Sequence, residues 1–548
     1  MTVTPSTSNC SRFVLRPLAA LALLGAGLTA CGGGGSKSTA GAPASSTPAA
    51  ASGTGGTLVI AMTAANIPPP TPGGYETEGW EGERFVGFNL YDGLTRLKLD
   101  QNTSGPSVEP GLALSWTPSA DAKTWTFKLR PNVTFTDGTP WNADAAVFGL
   151  QRILDSKFQY YDANDAGLLA FYTSNLDSVA KVDDMTVAVT AKSPDSFVPN
   201  DMPYLTFGSP TALVKEGKDF VNHPVSTGPF MFKSEVIGQS LTMVPNPHYW
   251  GPVPKLDKVV LRPIPDATAR VTALRNGEVN WIEFPAPDAI QPLVSAGFKL
   301  FEEPYSHIWP WVYDTTKGPL KDVRVRQALN YAIDRDSMVK NILQGTGTPA
   351  QQYIPKPDPG YDPSNDTLTY NPAKAKQLLA EAGYPNGFTM SVVYPASGSG
   401  NMVPIPMDQF MQGELAKIGV TVKLEQIEWS TMVTDYAADK VSNGADAEMI
   451  SLGFYPPDTW YTTFGTDQVS NIGHWSDPKF DAVMKQIFAT TDPAQQVKLF
   501  QQMNSVLMAG APWLLVVSDL NPRVLSPKVH GFVQPKAVWV DLRNIWVG

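Results

Sequence analysis

Five histidines are scattered through the 548 residues, and no two of His223, His248, His307, His474 and His530 have the spacing that a metal centre needs. A nickel or haem ligand would have to rely on groups that only the folded chain brings together. The His-Glu-x-x-His of metalloproteases and the Gly-x-Ser-x-Gly nucleophile elbow are both absent. Glu302 and Glu303 are adjacent, whereas glycoside hydrolysis needs carboxyls facing each other across a substrate. The run Gly32–Lys37 lacks the glycine directly before lysine that a phosphate loop requires. Gly345-Thr346-Gly347-Thr348-Pro349-Ala350 has the outline of a dinucleotide turn, but it follows a helical pattern and contains Pro349, so it reads as a loop. The chain therefore reads as a non-enzyme with no cofactor and no metal. Its chemistry is aromatic: Trp309, Trp311 and Tyr313 alternate with Pro310 and Val312, so an extended segment sets all three on one face. Such a face either stacks on a bound molecule or packs into a core.

Composition and charge narrow the partners. Hydrophobic residues are 43% and charged residues 17%, with 14 Trp, 18 Tyr and 24 Phe, which suits a globular body. The length exceeds what one core organises, so two or more lobes are expected. A net charge of −10 argues against nucleic acid as a partner. Cys10 and Cys31 are the only cysteines, and both precede the folded region, so no disulfide or thiolate site holds the body together. Arg12 and Arg16 precede an apolar run, Leu18–Leu28, that is too short to span a bilayer and reads as the core of a signal peptide over 1–30. Leu28-Thr29-Ala30-Cys31 resembles the bacterial lipobox, which implies lipidation at Cys31 and a membrane anchor on the extracytoplasmic side. Residues 31–56 form a flexible linker of Gly, Ser, Ala, Thr and Pro, whose reach is roughly 25 to 30 Å.

The body reads as mixed α and β. Thr57–Met62 is a short buried strand, and Trp125, Phe127 and Leu129 mark a half-buried one. Asn142 caps a helix carrying Ala145, Ala146, Leu150 and Ile153, and a turn at Asp183–Asp184 leads into a strand over Met185–Val189. Val325, Ala328, Leu329, Ala332 and Ile333 share a helical face; Asp334 caps the next helix, and Asn371–Pro372 starts another that Gly383 ends. Phe388–Tyr394, a helix from about Met407 to Ile418 and the alternation Val420, Val422, Leu424 make a strand–helix–strand unit.

A succession of segments carries a resemblance. Tyr91-Asp92-Gly93-Leu94-Thr95 precedes Glu109-Pro110-Gly111-Leu112-Ala113, Trp125–Arg130 and Phe135-Thr136-Asp137-Gly138-Thr139-Pro140. Thr227-Gly228-Pro229-Phe230, Asn246-Pro247-His248-Tyr249-Trp250 and Asp322–Arg335 follow in order. Together they resemble the family 5 extracellular solute-binding proteins of peptide and nickel importers. The resemblance implies an α/β, two-lobed type II periplasmic-binding-protein fold with an extra subdomain inserted in lobe one. Lobe one would comprise 57–90, 221–303 and 512–548, the inserted subdomain 91–220 and lobe two 304–511. It further implies a monomer that captures a peptide or other small molecule between its lobes and passes it to the permease subunits of an ABC importer. Trp116, Trp125 and Trp250 read as core anchors, and Arg324 and Arg326 as flanking a solvated helix face.

By the same resemblance, the loop Gly453–Trp460 borders the ligand and offers Phe454, Tyr455, Asp458 and Trp460, while Asn66, Tyr75 and Trp80 follow the first strand. Trp309, Trp311 and Tyr313 lie near the first crossing between lobes, as a ligand wall or a core strand. Peptide receptors of the family place an aspartate a few residues before the acid–proline pair of that loop. Here no acid lies between Ser451 and Pro457, and Asp458 follows the pair, where an Asx turn is an equal reading. The loop Tyr394–Met407 also lacks an arginine for a ligand carboxylate. Peptide is the leading ligand; a sugar, a nickel or haem ligand, or a surface hydrolase on the same fold are the alternatives.

Overall fold

The computed structural model describes residues 53–548 apart from 104, 106 and 399–401. The expected signal segment, Cys31 and the linker as far as residue 52 lie outside the described residues. Within the expected linker, Gly55 N–H donates to Lys255 O and Val547 N–H donates to Gly55 O. At Gly56, φ is 86° and a Cβ would stand 2.1 Å from Val547 O, so only glycine fits beneath the last strand.

Thr57–Met62 lies at the centre of a seven-stranded sheet, parallel to Lys258–Pro263 on one side and to Trp281–Glu283 on the other. Antiparallel strands complete both edges: Ser240–Pro245 and Phe230–Val236 beyond one, Arg523–Leu525 and Lys299–Phe301 beyond the other. Leu58, Ile60 and Met62 enter one core and Ala61 the other, the period-two alternation of a strand covered on both faces.

The second sheet runs Gly347–Pro349, Trp513–Asp519, His307–Tyr313, Ala447–Met449, Thr389–Pro395 and Thr421–Ile427, with Leu452–Gly453 pairing the start of His307–Tyr313. Thr389–Pro395 and Thr421–Ile427 are parallel and joined by the helix Pro404–Ala416, the expected strand–helix–strand unit. That helix starts earlier than its apolar periodicity suggests, because prolines are tolerated in a first turn whose amides need no intrahelical partner. A third, four-stranded sheet, Ala113–Pro118, Thr124–Leu129, Thr186–Ala191 and Leu176–Asp183, forms the inserted subdomain. The result is a two-lobed α/β body with the insertion in lobe one.

Caps form as expected from local chemistry: Asn142, Asp334 and Asn371 accept from the amides of Ala145, Ser337 and Lys374. Arg324 is exposed and paired with Asp322. Arg326 departs from the expected solvated face. It is buried, and its guanidinium donates to the carbonyls of Leu320, Gly510 and Ala511, closing the C-terminal end of the helix Pro493–Gly510.

The chain leaves the first sheet after Phe301 and enters the second at His307; it leaves again after Asp519 and returns at Arg523. The return falls later than the expected Pro512, because Trp513–Asp519 is hydrogen-bonded between His307–Tyr313 and Gly347–Pro349. Composition does not change at that point, so the crossing leaves no mark in the sequence. The two crossings are tied together. Glu303 N–H donates to Leu520 O, and the buried Asp519 carboxylate receives His307 Nδ1 at 3.0 Å, Trp309 Nε1 at 2.9 Å and Asn521 N–H at 3.1 Å. Burial alone would raise the Asp519 carboxyl, but His307 and these donors outweigh it and hold it below its ordinary value.

A second buried anchor lies in lobe one. Glu283, without exposure, pairs with Arg523 Nε at 2.8 Å and with Arg84 Nη1, and accepts from Trp281 Nε1 at 2.6 Å. Burial opposes the charge, yet Arg523 and Arg84 hold the Glu283 carboxyl below its ordinary value. Its contribution to stability is therefore present above the ordinary carboxylate pKa and is lost as pH falls through the depressed one. Glu283→Ala strands two buried guanidiniums and is expected to lower unfolding stability by roughly 3 to 5 kcal/mol, measured as a shift of the urea midpoint at neutral pH. A midpoint equal to wild type refutes the assignment.

Candidate functional site

Where the two lobes meet, a cavity of ≈ 1010 Å³, its open mouth included, is enclosed by five short stretches of chain. Lobe one supplies Glu76–Trp80 and, from the insertion, Gly167–Tyr172; lobe two supplies the helix Trp429–Ala437 and the segments around Ser451 and Ser470. Trp80, Phe171, Tyr172, Trp429 and Tyr436 make the wall aromatic, and among the described residues Glu76 is the only charged one lining it. That size and lining suit a small amphipathic solute.

Trp80 closes the hinge side. Its ring lies 5.3 Å from that of His307 and 5.9 Å from that of Trp539, and it covers Gly453 so closely that a Cβ there would stand 1.8 Å from the indole. Tyr172 is stacked on Tyr204 at 4.2 Å, and its hydroxyl donates to Glu83. Glu83 also accepts from Trp539 Nε1 at 2.5 Å and is hydrogen-bonded to Glu76. Burial, then the charge of Glu83, pushes the Glu76 carboxyl well above its ordinary range. On lobe two, Trp429 Nε1 is buried and donates to no acceptor among the described residues.

A second gap between the lobes, ≈ 1500 Å³ with its mouth, is lined by Phe454, Tyr455 and Trp460 among others. Phe454 and Trp460 are stacked at 3.6 Å, and Tyr455 Oη accepts from Asn200 Nδ2 of the insertion at 3.3 Å. Asp458 is buried beside Asp201 of the insertion, with a hydrogen bond between the two carboxyls.

The expected site residues therefore separate. Trp80 lines the main cavity; Phe454, Tyr455 and Trp460 line the second gap, and Asp458 sits between the lobes. Trp309, Trp311 and Tyr313 share a face, as their alternation requires, but that face is a core: all three have 0% exposure and pack with Val325, Leu329 and Met407. Trp311 Nε1 donates to the buried Asp408 at 2.6 Å. Tyr75 lies in the core of lobe one with its hydroxyl donating to Tyr204 O, and Asn66 is exposed and bonded to Glu78. Glu76, Tyr172, Trp429 and Tyr436 were not singled out from the sequence. The one available signal was the density of acids, Glu76, Glu78, Glu81 and Glu83, among glycines and aromatics, a pattern that ordinarily marks a solvated face.

Residues 107–472 match the bacterial extracellular solute-binding proteins, family 5 Middle. The chain belongs to that family. Among curated relatives, this family 5 solute-binding protein is 32% identical over 449 residues to heme-binding protein A of Haemophilus influenzae, covering 78% of this chain and 82% of the relative. It is 29% identical over 488 residues to the dipeptide-binding protein of Escherichia coli, covering 83% and 90%. Among solved structures, a dipeptide binding protein from a Pseudoalteromonas species in complex with Met-Leu superposes with a TM-score of 0.79 at 23% identity, over 90% of this chain and all of that one. HbpA2 from Haemophilus parasuis superposes at 0.71 with 28% identity, covering 90% and 100%. The fold is thus the two-lobed type II architecture of periplasmic binding proteins.

In this solute-binding protein the lobes meet through groups whose charge depends on pH. Burial pushes the Asp201 and Asp458 carboxyls up, helped by the charges of Asp458 and Asp195 at Asp201 and by that of Asp195 at Asp458, and Asp195 itself is raised to about 6, chiefly by burial. Asn175 donates to Asp195, and Lys485, which borders the same opening as Asp458, forms no ion pair with it among the described residues. Raised carboxyls favour contact between the lobes when protonated, so closure is strongest in acid and weakens as pH rises through the raised values. The expected result is a scattering radius of gyration that grows from mildly acidic to alkaline pH in the wild type and stays flat in Asp458→Asn; equal slopes would discard the explanation.

Proposed function

We propose that this protein captures a short peptide outside the cytoplasm, encloses it between its lobes and hands it unchanged to the permease subunits of an ABC importer. The observation that carries this reading is the cavity itself, formed only where the lobes meet and walled by five aromatic side chains with one carboxyl. Relatives support the ligand class: one is named a dipeptide-binding protein, another a glutathione-binding protein, and one structural neighbour was solved with the peptide STSA. Closure of the lobes does the binding work, because it desolvates the ligand at an interface neither lobe completes alone. No catalytic step is assigned; the buried carboxyls of the cavity serve recognition. Lipidation at Cys31, with the linker as tether, would keep the monomeric receptor at the membrane that holds its permease.

Native mass spectrometry of freshly purified protein is expected to show a retained peptide, and mixed short peptides are expected to be recovered intact after incubation. Trp429→Ala and Trp80→Ala each remove an aromatic wall and are expected to weaken binding roughly tenfold or more, with thermal unfolding close to wild type for Trp429→Ala. Cleaved products, or affinity unchanged in both variants, would count against the reading.

A further inference from the structure

The charge distribution around the cavity narrows the class of solute, on the reading that the cavity holds the ligand. Among the described residues no lysine, arginine or histidine lines it, so an anionic group of a ligand meets no cation there. The one charged lining residue, Glu76, forms no ion pair among the described residues, and its Oε1 is buried without a hydrogen bond from any protein donor. Behind it, Glu83 is held by Tyr172 and Trp539 and bonded to Glu76. Two carboxyls this close favour holding a proton between them, and the negative charge on the pair when the other ionises is the complement of a single cation. Tyr172 and Trp80 add π faces at the same end, a favourable setting for an ammonium group. Lobe two offers a neutral donor, Trp429 Nε1, suited to a carbonyl oxygen.

We propose that Glu76, backed by Glu83, receives a primary ammonium group, and that the cavity selects cationic amphipathic solutes, such as a peptide entered by its free N-terminus, while leaving the far end of the ligand without a charged partner. This places the cation-accepting carboxyl on lobe one, and it accounts for the lack of any acid between Ser451 and Pro457 on lobe two. Carboxyl chemistry at Glu76 is then a determinant of specificity that acts by direct contact.

The test uses three pools of the same di- to tetrapeptides, free, N-acetylated and C-amidated, together with phenethylamine, with affinities read by titration calorimetry. Acetylation is expected to weaken binding to the wild type by roughly 30-fold or more, and amidation to change it by less than about threefold. Glu76→Gln is expected to lose the preference for the free amine while binding the acetylated pool about as wild type does. The comparison of pools on the wild type does not depend on how the variant folds. Equal binding of free and acetylated pools overturns the inference and leaves the peptide reading in place. Binding of phenethylamine without any peptide supports the inference and removes the peptide reading. Binding of none of the probes, or a larger loss on amidation than on acetylation, overturns it.

Discussion

The carboxylate of Asp519 holds the molecule's two halves in register. It lies where both crossings meet the second sheet and gathers His307 from the incoming strand and Asn521 from the outgoing crossing. A receptor that closes by rotation needs its two connecting strands to bend together, since independent bending would shear the sheets they join. Buried donors fix Asp519 while the backbone bond from Glu303 to Leu520 couples the crossings themselves. The rigid lobes, the position of Trp80 against His307 and the volume between the lobes all follow from where this joint sits.

Much of the scaffold was legible because its signals are local. Asn142, Asp334 and Asn371 cap helices through their own side chains, and the alternation of Trp125, Phe127 and Leu129 needs only a sheet with one covered face. Local chemistry also set Trp309, Trp311 and Tyr313 on one face. It does not say what covers that face, and the covering residues, Val325, Leu329 and Met407, come from other elements of lobe two. The strand Leu176–Asp183 was missed for a related reason: its mostly exposed Asp, Ser, Ala and Lys positions resemble a loop, and only pairing with Thr186–Ala191 makes it a strand. The site was less legible still. Glu76 and Trp429 are separated by more than half the chain, and neither differs from an ordinary surface or core residue until the lobes meet.

Carboxyls recur wherever the lobes touch. Glu76 lies against Glu83 at the cavity and Asp201 against Asp458 across the second gap, and burial raises all four carboxyls. The two pairs differ in what relieves them. A cationic ligand can neutralise the first, whereas only protons or separation of the lobes relieve the second. Ligand and solvent thus act on the same hinge through separate groups, and Thr63 Oγ1, donating to Gly398 O at 2.8 Å, adds an uncharged bond between the halves.

The cavity walls come from a turn-rich stretch, the end of a short helix, one amphipathic helix and two loops, and only Tyr172 and Ile450 among their aromatic and aliphatic side chains belong to the cores behind them. Phe171 and Ser451 are only half-buried at the cavity, whereas Trp311 is wholly buried and its replacement opens the middle of a lobe. Lineages descending from such a receptor can therefore drift in what they carry without first losing the ability to fold, since mutational tolerance is concentrated where recognition takes place.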